Sequence, residues 1–148
     1  MEKVKKGSRK ELERFLKEKY GGTIKDWYEF YKKGNKIYLT NKKASQFFEI
    51  LRKIRGIRIE RVGIKFATKN KSLRLSMDAP WFISPNKGII ELPKEKVRKF
   101  MQGKAVDIKK DGFPDGYYII KSGKDFLGIG LKKGNKLKSY IPKERRIA

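Results

Sequence analysis

The chain has 148 residues, with 40 Lys+Arg against 16 Asp+Glu and a formal net charge of +24. Apolar residues make up 38% and aromatics 12%, enough for a core, so this is a folded basic protein and not a disordered basic tail. With neither Cys nor His, it has no disulfide, thiolate metal site or cysteine nucleophile, and it lacks the commonest general base. So large a charge opposes compaction unless a polyanion absorbs it, which makes nucleic acid the leading partner class. Met1 to Lys6 has basic residues with no apolar run behind them, and no stretch approaches the ~20 apolar residues of a membrane span. The expectation is a soluble, cytoplasmic protein with no membrane partner. Abundant Lys and Glu with few Gln give it a thermophile-like composition.

Ser8-Arg9-Lys10-Glu11 has the spacing of a capping box and predicts a helix over 9–20, stopped by Gly21-Gly22. Trp27 to Tyr31 and Ile37 to Leu39 flank Gly34-Asn35 and predict a hairpin. Thr40 or Asn41 can cap a helix over 42–55 whose stripe is Ala44, Phe47, Phe48, Leu51 and Ile54. Ile57, Ile59, Val62, Ile64 and Phe66 predict one or two strands after Gly56, ending near residues 69–71. From Ser72 the rhythm shortens: a strand at 73–76, a helical turn at 77–82, a turn at 85–88, a strand at 89–92 and a helix at 93–102 opened by Pro93. Four strands follow at 105–108, 116–121, 125–131 and 137–141, joined by glycine-bearing turns that suggest a small barrel. The predicted class is α+β, with an N-terminal α+β unit (1–72) packed on a C-terminal β-barrel (73–148).

Phe100-Met101-Gln102-Gly103-Lys104-Ala105-Val106, followed by Tyr118 to Leu131 with its Gly128-Ile129-Gly130-Leu131 ending, resembles the PUA domain of RNA-modifying enzymes and ribosome-assembly factors. Lys104 stands where that family tends to carry an acid. The tail from Lys136 to Lys143 further resembles the end of rRNA cytosine-C5 methyltransferases of the Sun/RsmF type, in which a small pre-PUA unit precedes a PUA barrel. The resemblance covers residues 72–148 by motif and 1–71 by layout. It implies an RNA-docking module. The catalytic cysteines and doubly wound cofactor domain of those enzymes have no counterpart in these residues, so no enzyme activity and no cofactor are expected.

Lys132, Lys133, Lys136, Lys138, Lys143, Arg145 and Arg146 form a basic cluster on a hairpin and tail, where phosphate contacts would release counterions. The bland reading is a solvated, solubilising hairpin. As the resemblance implies, RNA would also meet Asn86, Lys87 and Gly88 and, near the glycine-bearing hairpin, Lys121 and Lys124. Gly88 fits either a close backbone approach to ligand or a tight turn. Arg52, Lys53, Arg55, Arg58 and Arg61 suggest a second phosphate patch, or complement a helix C-terminus. Lys3, Lys5, Lys6, Arg9 and Lys10 read as a basic arm or a frayed terminus. Trp27, Tyr28, Phe30 and Tyr31 could stack bases; because they alternate along a strand, one of the two sets is core, and Trp27, like Trp81 and Phe82 in their short apolar run, is expected to be core. Gly128 and Gly130 are assigned to barrel packing. The acids Asp111, Asp115 and Asp125 lack a nucleophile or metal-ligand spacing, and Asp111 and Asp115 sit in turns that favour Asp. The favoured function is docking on structured RNA, rRNA or tRNA, in RNA modification or ribosome assembly, beside a separate RNA-modifying enzyme or assembly factor. The alternative is a protein–protein adaptor in such a complex.

Overall fold

A computed structural model describes residues 1–59, 62–109 and 112–148. A two-residue strand β1 (Glu2–Lys3) precedes helix α1 (Lys6–Tyr20). Leu12, Leu16 and Tyr20 recur every four residues and are the buried stripe of that helix, each fully buried Leu contributing about 1.5–3 kcal/mol. Gly21, at φ 63°, closes the helix: its N–H donates to the Lys17 carbonyl at 3.0 Å and that of Gly22 to the Leu16 carbonyl at 3.1 Å. The expected capping box is absent. Ser8 lies inside the helix and is exposed, because β1 pairs with β2 (Tyr28–Lys33) and the chain turns into the helix directly after Lys5. That pairing, with the Val4 N–H on the Phe30 carbonyl at 2.8 Å, also ties down the segment read as a basic arm.

Strands β2 and β3 (Lys36–Asn41) form the expected hairpin around Gly34-Asn35, with Gly34 at φ 58°. Asn41 then caps helix α2 (Lys42–Leu51), accepting from the Ala44 N–H at 2.7 Å. The helix is shorter than expected and rotated. Ser45 and Phe48 are its buried residues, whereas Phe47 is 62% exposed. The cause is polar: the Tyr31 hydroxyl meets Ser45 Oγ at 2.7 Å and donates to Glu49 Oε1 at 3.0 Å, turning that face inward. Ile57 is exposed, Ile59 half-buried, and neither is in a strand; β4 runs Ile64–Lys69 and β5 Leu73–Leu75. The Arg61 reading lies outside the described residues.

The first sheet has the order β1-β2-β3-β4-β5. Both its faces are covered, which is why adjacent Phe30 and Tyr31 are both buried. Phe30 faces α1, and Tyr31 faces α2 with Phe48 and Val62. A 3-10 turn at Ala79–Phe82 leads to β6 (Ile89–Glu91), α3 (Lys94–Met101), β7 (Val106–Asp107), β8 (Gly116–Ser122), β9 (Asp125–Lys133) and β10 (Lys136–Ser139). These strands form a second sheet, β6-β8-β9-β10-β7, curled into a half-barrel, so the predicted α+β class holds. One face of this sheet, through Ile120, Leu137 and Ile141, packs on Phe100 of α3 and on Val106 and Ile108. The other, through Ile119 and Ile129, enters the same core as Leu12, Leu16, Phe30 and Phe66 of the first unit. A Cβ on Gly130 would lie 2.7 Å from Leu137 Cδ1, and one on Gly128 2.7 Å from Ile141 Cδ1, so the glycine pair serves packing.

Candidate nucleic-acid interface

The basic hairpin obeys strand alternation. In the β9–β10 register Lys133 faces Lys136 and Lys138 faces Leu131, while Lys132 faces the buried Leu137. Lys133, Lys136 and Lys138 therefore share the outer face. Lys132 points inward, is 6% exposed, and sits 3.7 Å from Asp115, so it is not the surface cation expected. Lys136 pairs with Asp107 at 2.6 Å, and this hydrogen bond holds the Asp107 carboxyl below the usual carboxylate range. Arg145 grips both carboxylate oxygens of Asp78, at 3.1 and 3.3 Å. Arg146 donates from Nε to the Ile141 carbonyl at 3.0 Å and lies over Gly103. Lys133, Lys138 and Lys143 remain exposed with no ion pair among the described residues.

Along the same face, Tyr117 of β8 is opposite Leu131, and the Tyr117 and Tyr140 rings meet edge to face at 5.6 Å. Three cations surround these rings, and a fourth, Lys65, stands beside one of them. Arg74 of β5 lies 4.4 Å over Tyr140, Lys138 lies 5.2 Å from it, and Lys19 of α1 lies 5.8 Å over Tyr117. Lys65 of β4 is close enough to Arg74 for repulsion to help lower its pKa, after burial, which is the larger cause. Burial likewise lowers Lys19. The Tyr117 phenol is pushed up by burial and by its hydrogen bond with Tyr140. That same bond, with Lys138 and Arg74, holds Tyr140 below the ordinary tyrosine value although burial opposes it. Glu144 offsets part of this at Lys65, whereas half-buried Lys19 and Arg74 have no ion pair among the described residues, a high-energy arrangement that a polyanion relieves. Sequence reasoning singled out only Lys138 of this group; Lys19, Lys65, Arg74, Tyr117 and Tyr140 come from five separate segments and meet only in the fold.

The Asn86, Lys87 and Gly88 turn packs on α1. The N–H groups of Asn86 and Lys87 both donate to the Tyr20 carbonyl, at 2.9 and 3.2 Å. Gly88, at φ 66°, would place a Cβ 2.7 Å from the Lys19 carbonyl oxygen, so its close approach is to the helix end. Parallel pairing sets Ile89 beside Ile119 and Glu91 beside Lys121. The turn and the Lys121–Lys124 hairpin therefore stand at opposite ends of β6. Lys124 is exposed and Lys121 half-buried.

Arg52 donates to Glu49 at 3.2 Å and to the Met1 carbonyl at 2.6 Å, and stacks on Phe48 at 4.9 Å. Arg55 and Arg58 are exposed in the segment after α2. Of the acids considered, Asp115 accepts from the Gly134 N–H at 2.9 Å, Asp125 flanks the β8–β9 turn, and Asp111 lies outside the described residues. Trp27 and Trp81 are not core residues: they are 57% and 56% exposed, and Phe82 is half-buried.

Residues 87–147 match the family model described as the methyltransferase RsmF PUA domain. Among characterised proteins, the chain is 30% identical over 90 residues to ribosomal RNA small subunit methyltransferase F of Shewanella pealeana, covering 60% of this chain and 18% of that one. The enzyme of the same name from Shewanella piezotolerans is 29% identical over 113 residues, 74% of this chain and 23% of that one. The match in Shewanella woodyi is 26% over 89 residues. The chain thus spans about a fifth of the length of the relatives it matches. The half-barrel order β6-β8-β9-β10-β7, the helix between β6 and β7, and the sequence match coincide: residues 87–147 are a PUA domain of the RsmF type.

Proposed function

We propose that the protein docks on structured RNA, rRNA or tRNA, without catalysing a reaction itself, and serves rRNA modification or ribosome assembly. The observation that carries this reading is the run of cations on one face of the PUA sheet. Lys133 and Lys138 continue into Arg74 and Lys19 around the Tyr117–Tyr140 pair, with Lys65 beside Arg74. Because that run crosses from the PUA half to the first unit, both halves contribute to the footprint. The charge is distributed accordingly: residues 1–74 hold 23 basic and 8 acidic side chains and residues 75–148 hold 17 and 8, giving +15 and +9. Such a surface reads phosphate spacing and helix shape more than base sequence. A separate RNA-modifying enzyme or assembly factor is the protein partner this role implies.

The test is binding of a structured rRNA fragment across a salt series. Affinity falls steeply with salt, and Arg74→Ala and Lys138→Ala each weaken binding and flatten the slope of log K against log salt by about 1. Binding no tighter than the roughly 1–100 µM of non-specific association, unchanged in both variants, sinks the reading. Methyl transfer from S-adenosylmethionine by the purified chain would overturn its non-catalytic part. A protein–protein adaptor is the second reading, favoured by the exposed Phe47, Ile50, Ile54 and Ile57 at the end of α2 and beyond. It predicts that substituting these four by Ser abolishes complex formation while RNA affinity is unchanged.

A further inference from the structure

The chain has two tryptophans, and both leave more than half of their surface in water. They belong to one row of rings. Trp27 lies 6.2 Å from Tyr28 at an interplanar angle of 45°, and Tyr28 meets Phe82 edge to face at 5.7 Å. The residue before Phe82 is Trp81, which meets Phe126 edge to face at 4.9 Å. The row therefore joins the entry of β2 to the start of β9, across the junction of the two units. Its backbone is pinned: the Arg9 guanidinium donates to the carbonyls of Tyr28 and Lys25.

Cations alternate with these rings. Lys25 Nζ lies 5.8 Å from the Trp27 ring, Lys121 pairs across the strands with Phe126, and Lys124 occupies the adjoining turn. Asp26 and Asp125 are the exposed acids beside them. Glu29 is engaged by Lys3 and Arg9, each at 3.8 Å, and Glu91 by the Gly123 N–H at 2.7 Å. Two exposed tryptophans in a row with the half-buried, core-anchored Tyr28, Phe82 and Phe126, interleaved with Lys and with no exposed aliphatic among them, suit planar bases carrying phosphates. An aliphatic protein surface would instead suit the band at Phe47, Ile50, Ile54 and Ile57.

We propose that Trp27, Tyr28, Trp81, Phe82 and Phe126 form a stacking platform for unpaired nucleotides that flank the RNA helix. The proposal rests on the RNA-docking reading and adds a different contact to it. The platform lies at the far end of β8 from the tyrosine–cation cluster. Tyr117 and Lys121 are four residues apart on that strand, about 13 Å. A duplex held at the cluster therefore presents its single-stranded extension to the rings.

The experiment uses the full chain and two probes, a blunt RNA hairpin and the same hairpin with a single-stranded extension of about six nucleotides. Because both tryptophans lie in the row, intrinsic fluorescence reads it directly. The extended hairpin is expected to bind more tightly and quench the fluorescence. Trp27→Ala and Trp81→Ala should each lower its affinity about tenfold, with blunt-hairpin affinity unchanged. Trp27→Phe and Trp81→Phe keep a stacking ring and most of the affinity, which separates stacking from loss of fold. Equal affinity for both hairpins with no differential quenching overturns the platform and leaves the docking reading standing. Failure to bind either hairpin overturns both.

Discussion

Lys132 and Lys133 are neighbours in sequence and opposites in environment. Strand alternation puts the first beside Leu137, under the sheet and against Asp115, and the second on the outer face with Lys138. A buried ammonium is compensated by its partner and does not release counterions from RNA, whereas an exposed one does. Lys132→Met is therefore expected to leave RNA affinity and its salt slope unchanged, since an apolar side chain of similar length suits that site. Lys133→Met is expected to weaken binding and reduce the slope by about 1. Fluorescence anisotropy over a salt series checks both. A slope that falls equally in the two variants would mean that the hairpin does not meet RNA by its outer face. The same alternation explains why a count of basic residues overstates the interface: Lys136, Arg145 and Arg146 are engaged within the protein.

Among the elements, the two N-terminal helices start in different ways, and that difference is measurable. Asn41 accepts the Ala44 N–H at the start of α2, so Asn41→Ala should cost about 1 kcal/mol in urea unfolding. Ser8 accepts no such bond at the start of α1, and Ser8→Ala should cost nothing, since Ala is the better helix former. Equal losses would restore the capping-box reading. What was legible in the sequence follows the same division between local and distant causes. The Gly21 stop, the Gly34-Asn35 hairpin and the glycine-bearing turns of the PUA half are local signals, and each produced its element. The rotation of α2 is set by the Tyr31 hydroxyl fourteen residues before Ser45, which no periodicity records. Trp81 is held against Phe126, from a different strand, and so stays at the surface where a short apolar run suggested burial. The cationic cluster was least legible, because Lys19, Lys65, Arg74 and Lys138 have nothing in common until four elements meet.

For the molecule as a whole, the decisive fact is a shared core. Leu12, Leu16, Phe30 and Phe66 of the first unit and Ile119 and Ile129 of the PUA sheet belong to one buried cluster. Gly22 approaches Ile83 so closely that a Cβ would lie 2.9 Å from it, and the Thr23 N–H donates to the Ile83 carbonyl at 2.8 Å. Separating the units would expose this cluster, so the two should unfold together. Heating should give one transition, with far-ultraviolet and tyrosine–tryptophan signals coincident. Leu16→Ala and Ile129→Ala, from opposite sides of the junction, should each cost about 2–5 kcal/mol and lower that single midpoint by roughly 2–4 °C for every kcal/mol. Two separable transitions, each sensitive to only one substitution, would refute the shared core. The charge supplies a second lever on the same transition. At +24 the folded state carries self-repulsion that a bound polyanion removes, and RNA at about 100 times its dissociation constant adds about 2.7 kcal/mol by mass action. Saturating RNA should therefore restore much of the midpoint lost in Leu16→Ala, which lies outside the proposed interface. It should do so as one rising transition, because the cations that meet the RNA are anchored on both sides of one core.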